Sequence, residues 1–105
     1  MATVWNSKRE GQLIVDRIDQ AFVSQYHYRY WISIVAFLPI NGYNLFFYRQ
    51  RPGEYTRSIP IARLVDASFS QLIAILKIIR ESYQFTFTYR GFSRQERQIF
   101  RMEVN

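Results

Sequence analysis

Residues 26–50 read YHYRYWISIVAFLPINGYNLFFYRQ, and the period of this stretch decides the fold. Tyr26, Tyr28, Tyr30, Ile32, Ile34 and Ala36 alternate with His27, Arg29, Trp31, Ser33, Val35 and Phe37. A period of two in residues that favour extended backbone predicts a strand. Pro39-Ile40-Asn41-Gly42 interrupts it, and Asn-Gly suits the positive φ angles of a hairpin turn. Tyr43 to Gln50 is then the return strand. The most hydrophobic window of the chain, Tyr30 to Tyr48, lies here and is broken by Pro39, Asn41, Gly42 and Asn44. A bilayer span needs ~20 largely uninterrupted apolar residues. The expectation is two strands and a turn, with no membrane span.

Working outward, Arg51-Pro52-Gly53-Glu54 carries Pro at i+1 and Gly at i+2, as a type II turn requires. Tyr55 to Ile61 follows as a third strand, which Pro60 puts at a sheet edge or a bulge. Ser68-x-x-Gln71 is a capping box that opens a helix to about Glu81, with Phe69, Leu72, Ile73, Leu76 and Ile79 on one broad face. Tyr83, Phe85, Phe87 and Tyr89 alternate with polar residues as a further strand. In the tail, Ser93-x-x-Glu96 offers a helix cap while Phe100, Met102 and Val104 alternate, and a hairpin is expected. On the N-terminal side, Ser7-x-x-Glu10 is read as the capping box of a helix from about Lys8 to Ser24, with Ile14, Ile18, Ala21 and Phe22 as its apolar stripe. Gly11 weakens its first turn. No repeat or linker divides the chain. The reading is one α+β domain, residues 1–105, built as an antiparallel meander sheet packed by two helices.

If Asn41-Gly42 is a two-residue loop, Phe37 faces Phe46 and Val35 faces Tyr48. If Pro52-Gly53 is the next, Phe46 faces Ile59 and Tyr48 faces Arg57. One face then gathers Trp31, Val35, Phe37, Phe46, Tyr48, Tyr55, Ile59 and Ile61 and is the expected core. The other face is split. Ile34, Ala36, Leu45 and Phe47 need a cover, which suggests a homodimer, since each exposed Phe or Leu forfeits roughly 1.5–3 kcal/mol of burial. Tyr28, Tyr30, Arg49, Arg51 and Thr56 form a flat, cationic, aromatic half.

Composition narrows the function. The 105 residues carry a net charge of +6, and because Lys8 and Lys77 are the only lysines, the 14 basic residues include 12 arginines. Arginine offers a planar fork of donors that grips phosphate or carboxylate and stacks on flat rings. The chain has no cysteine, which removes disulfides, thiol nucleophiles and cysteine-bound metals. Together with an N-terminus lacking the apolar run of a secretory signal, it fits the cytoplasm or another reducing compartment. His27 is the only histidine and has no carboxylate near it in sequence, so neither a metal site nor a Ser–His–Asp triad is expected. Asp16 and Asp19 on the first helix are read as partners of Arg9, Arg17 or solvent. With no Gly-rich phosphate loop either, the expectation is a non-enzyme without cofactor.

Bases stack on aromatic faces while arginines follow phosphates on single strands. The expected function is therefore binding of single-stranded DNA or RNA through Tyr28, Tyr30, Arg49, Arg51, Arg57, Arg90 and Arg94. The alternative is a protein-interaction module, such as a subunit, an adaptor or a virus-encoded inhibitor, that docks an acidic surface. Arg90-Gly91-Phe92 opens like the RNA-recognition-motif signature, but Arg94 and Gln95 stand where apolar and aromatic residues should follow, and the match fails. In element order, three meander strands and then a helix, residues 28–81 are similar to the single-strand-binding coactivator and Whirly folds. That likeness brings no motif residues with it.

Overall fold

A computed structural model describes residues 6–22 and 28–104. Helix α1 spans Ser7–Ala21. Its cap is Asn6, whose side chain accepts the Arg9 backbone N–H at 3.1 Å. Ser7 is already helical, so Glu10 falls one position too late for the expected capping box. The chain leaves the helix at Phe22, which is extended; the expected helix end at Ser24, Tyr26 and His27 lie outside the described residues. Gly11 is buried, and a Cβ there would sit 2.8 Å from the Ile78 side chain. A residue that weakens the first turn is therefore what lets α1 approach its neighbour.

The strands are β1 (Arg29–Phe37), β2 (Gly42–Gln50), β3 (Arg57–Leu64) and β4 (Thr86–Arg90). They form one sheet in the order β3-β2-β1-β4. The first three make the expected antiparallel meander, but β4 lies parallel to β1, so the sheet is mixed. A parallel neighbour needs a long crossover. Helix α2 (Phe69–Ser82) provides it, carrying the chain from the β3 edge to the β1 edge. Its capping box forms as read, with both reciprocal bonds between Ser68 and Gln71. Pro60 lies in the edge strand β3, beside a register shift opposite Leu45 and Phe46. The turn at Pro52-Gly53 also forms, with Gly53 at φ +84 and Glu54 N–H on Arg51 C=O at 3.0 Å.

The tail is a helix, α3 (Arg94–Glu103), and the expected hairpin is absent. Ser93 and Glu96 close a second complete capping box. Helical geometry puts Phe100 and Val104 in the core and leaves Met102 76% exposed. A strand would have placed all three on one face. Three helices thus accompany the sheet where two were expected.

Register overturns the expected faces. Leu38–Ile40 form a 3₁₀ turn and Asn41 enters the left-handed region at φ 48, with its N–H on Leu38 C=O at 2.9 Å. Proline at 39 favours that turn, so the loop is Leu38–Asn41 and not Asn41-Gly42 alone. Phe37 consequently pairs with Gly42, Val35 with Asn44 and Trp31 with Tyr48. On the other side Arg49 pairs with Arg57 and Tyr48 with Ser58, which moves Arg57 to the face opposite the one expected. Gly42 is required where β2 begins, since a Cβ there would lie 1.7 Å from the Leu64 carbonyl oxygen.

The helices cover the face of Ile32, Ile34, Leu45 and Phe47, all 0% exposed. Ile14 and Ile18 of α1, Leu72, Ile75, Leu76 and Ile79 of α2 and Phe100 of α3 belong to the same core. The patch expected to need a second subunit is thus closed within the chain. Of the expected core face, Ile61 is buried and Ile59 packs against the core, while Trp31, Val35, Phe46 and Tyr48 lie on the face that no helix covers among the described residues. Polarity explains the choice: Ser33, Asn44, Thr86, Thr88, Arg63 and Arg90 alternate onto that side, and burying them under an apolar helix would leave their polar groups unpaired.

Candidate functional site

The open face is ordered in rows across the strands. Trp31 and Tyr48 sit opposite each other on the two central strands, their rings parallel within 5° and 5.3 Å apart. Phe46 packs edge-on to Tyr48 at 6.4 Å. Further along, Arg63 on one edge strand and Arg90 on the other flank Asn44 and Val35 in a single row. Arg29 and Gln50 close the opposite end, next to the Trp31–Tyr48 pair. A shallow concavity of about 550 Å³ runs over Trp31, Ser33, Val35, Asn44, Phe46, Tyr48, Thr88 and Arg90. A second, of about 260 Å³, includes Arg29, Gln50 and Thr86.

Charge on the sheet has one sign. The four strands carry Arg29, Arg49, Arg57, Arg63 and Arg90 and no carboxylate. Other arginines are architectural. Arg17 donates to Ile61 C=O at 2.7 Å, Arg80 donates to Phe85 C=O at 2.7 Å and lies 4.1 Å above the Phe87 ring, and Arg97 donates to Tyr89 C=O at 3.4 Å. Arg29, Arg63 and Arg90 are exposed, so their guanidinium groups face water across an aromatic floor.

The residues expected to form one surface are distributed over several places. Tyr28, Arg49, Arg51 and Arg57 surround a concavity at the end of β2 and β3, together with Glu54 and Tyr55. Tyr30 is on the helix-covered face, edge-on to Phe22 at 4.7 Å and parallel to Phe47 at 5.9 Å. Arg90 belongs to the open face and Arg94 to the first turn of α3. The sequence reading placed Trp31, Phe46 and Tyr48 in the core, and the structure brings them onto the open face together with Arg29 and Arg63. A signal was present: Ser33 and Asn44 interrupt the Trp31 and Phe46 face, whereas Ile32, Ile34, Leu45 and Phe47 are uninterrupted.

The fold favours the neutral hydroxyl of Tyr89, Tyr83 and Tyr43. Burial pushes Tyr89 up to about 12 against the opposing charge of Arg80. Burial also raises Tyr83 to about 12, helped by the hydrogen bond that its hydroxyl donates to the Asp19 carboxylate and by the charge of that group. Tyr43 is raised by burial and by Glu96.

Among the described residues no group of three His, Cys, Asp or Glu could hold a metal ion, and no helix is long and apolar enough to cross a membrane. A groove of about 510 Å³ between α2 and α3 is lined by Phe69, Ile73, Ile99 and Met102, with Ser70, Lys77 and Glu103 beside them.

No family model, curated protein or solved structure matches the chain. The element-order likeness to single-strand-binding folds therefore has no solved structure behind it, and function is read from the chemistry of the surface.

Proposed function

We propose that the open sheet face binds single-stranded DNA or RNA. Bases add to the Trp31–Tyr48 stack and to Phe46, and phosphates lie against Arg29, Arg63 and Arg90. One observation carries the reading: two large aromatic rings, already parallel, stand on the central strands of a sheet face that no helix covers. Base–aromatic stacking contributes ~1–3 kcal/mol per base and tolerates any sequence, because every base has a π-face. Arginines at both edges with no carboxylate between them supply the electrostatic half. A duplex keeps its base faces inside and can use only the charges, so single strands are the preferred form.

Fluorescence anisotropy with labelled single-stranded DNA, single-stranded RNA and duplex at two salt concentrations tests this. Single strands should bind more tightly than duplex, and log K should fall with log salt at about −0.7 per phosphate neutralised. Affinity no tighter than the ~10⁻⁴ M non-specific level at low salt would remove the reading. The arginines would then be assigned to an acidic protein surface.

A further inference from the structure

We infer that Arg49, Arg51 and Arg57 form a pocket for a phosphate dianion. Arg49 and Arg57 face each other directly across β2 and β3, and like charges placed directly opposite on neighbouring strands destabilise a sheet. Arg51 joins them around a concavity of about 310 Å³. Among the described residues its lining contains one carboxylate, Glu54, 3.8 Å from Arg51. Three positive charges thus meet one negative charge.

A doubly charged anion answers these charges. It balances the excess and relieves the Arg49–Arg57 repulsion. Guanidinium forks match phosphate oxygens in geometry as well as charge, and Tyr28 and Tyr55 line the same space. Glu54 is tied into the turn at Gly53 and acts as a weak internal stand-in that phosphate displaces from Arg51. The phosphate can come from two sources. It can be free, or it can be the terminal phosphate of a strand that leaves the open face around the end of β2 past Gln50 and Arg51, since Tyr48 and Arg49 point to opposite faces of the sheet. The second source rests on the nucleic-acid reading; the first does not.

Titration with inorganic phosphate, followed by ³¹P NMR, tests the pocket alone. Saturable binding is expected, weakened at least tenfold in Arg57→Gln and in Arg49→Gln and strengthened in Glu54→Gln, which removes the competing carboxylate. Arg57 is exposed on an edge strand, so its variant remains informative if Arg49→Gln fails to fold. In parallel, oligonucleotides with a 5′-phosphate, a 3′-phosphate or hydroxyl ends are compared by anisotropy. Preference for one phosphorylated end, lost in Arg57→Gln, assigns the strand end as source. Phosphate binding without end preference, or without any oligonucleotide binding, assigns free phosphate. Neither saturable phosphate binding nor end discrimination in the wild type would overturn the pocket, whatever the open face binds.

Discussion

Burial separates residues of the same type into different tasks. Tyr89 lies 4.0 Å from Phe100 with the rings within 9° of parallel, while Tyr48 stacks on Trp31 on the open face. For Tyr89 the neutral hydroxyl is the form the fold favours, because burial raises its pKa from 10.0 to about 12. A group raised on folding contributes stability that is complete below its unfolded pKa and is lost as pH climbs through the folded one. The melting temperature should therefore hold up to about pH 10 and then fall toward pH 12. In Tyr89→Phe, which keeps the ring and cannot ionise, the fall should be shallower. An equally steep alkaline fall in that variant would mean that other groups, Tyr83 among them, carry the effect. Arginines divide in the same way, since Arg17 and Arg80 donate to backbone carbonyls and Arg63 and Arg90 are exposed on the open face.

Secondary-structure elements assign the two halves of the proposed binding surface. Aromatic rings come from the central strands β1 and β2, and charges come mainly from the edges, Arg63 on β3 and Arg90 on β4. Charge and stacking respond differently to salt, so the two halves can be measured apart. Reversing Arg63 and Arg90 to Glu together should weaken binding of every sequence and flatten the salt slope by about 1.4, if each arginine neutralises one phosphate on a single strand. Trp31→Ala should lower affinity at all salt concentrations by the ~1–3 kcal/mol of a stacked base and leave the slope unchanged. Circular dichroism should show both variants folded, since neither alters the helix-covered core. A Trp31→Ala variant that binds as tightly as wild type would exclude the aromatic floor as the contact.

At the scale of the whole molecule, the covered face argues against a dimer built on Ile34, Leu45 and Phe47, which α1 and α2 already close off. The open face is also a poor partner for itself. Two copies placed face to face would bring Arg29, Arg63 and Arg90 of one against those of the other, with no strand carboxylate to meet them. Sedimentation of the unliganded protein at high micromolar concentration should give the 12.7 kDa monomer. A dimer would direct attention to the groove between α2 and α3, where Met102 and Ile99 are exposed.

Local rules read from the sequence held where the interaction they describe is local. The period of residues 28–50 determined two strands, Ser68 and Gln71 started α2, Pro52-Gly53 turned the chain, and Pro60 marked an edge. Leu76 and Ile79 were legible as core because they share one broad apolar stripe of α2 with Phe69, Leu72 and Ile73. The Ser93–Glu96 box also announced α3, although the alternation of Phe100, Met102 and Val104 spoke for a strand. Tertiary structure alone decided which side of the sheet is left open. Period two says that a strand has two faces, and here both are rich in large apolar residues, so no single strand distinguishes them. The choice came from β4, which brings Thr86, Thr88 and Arg90 beside Trp31, Ser33 and Val35. That parallel pairing is made through the α2 crossover and leaves no mark in the local sequence. Once it forms, the polar side must face water, because groups buried there would lack hydrogen-bond partners.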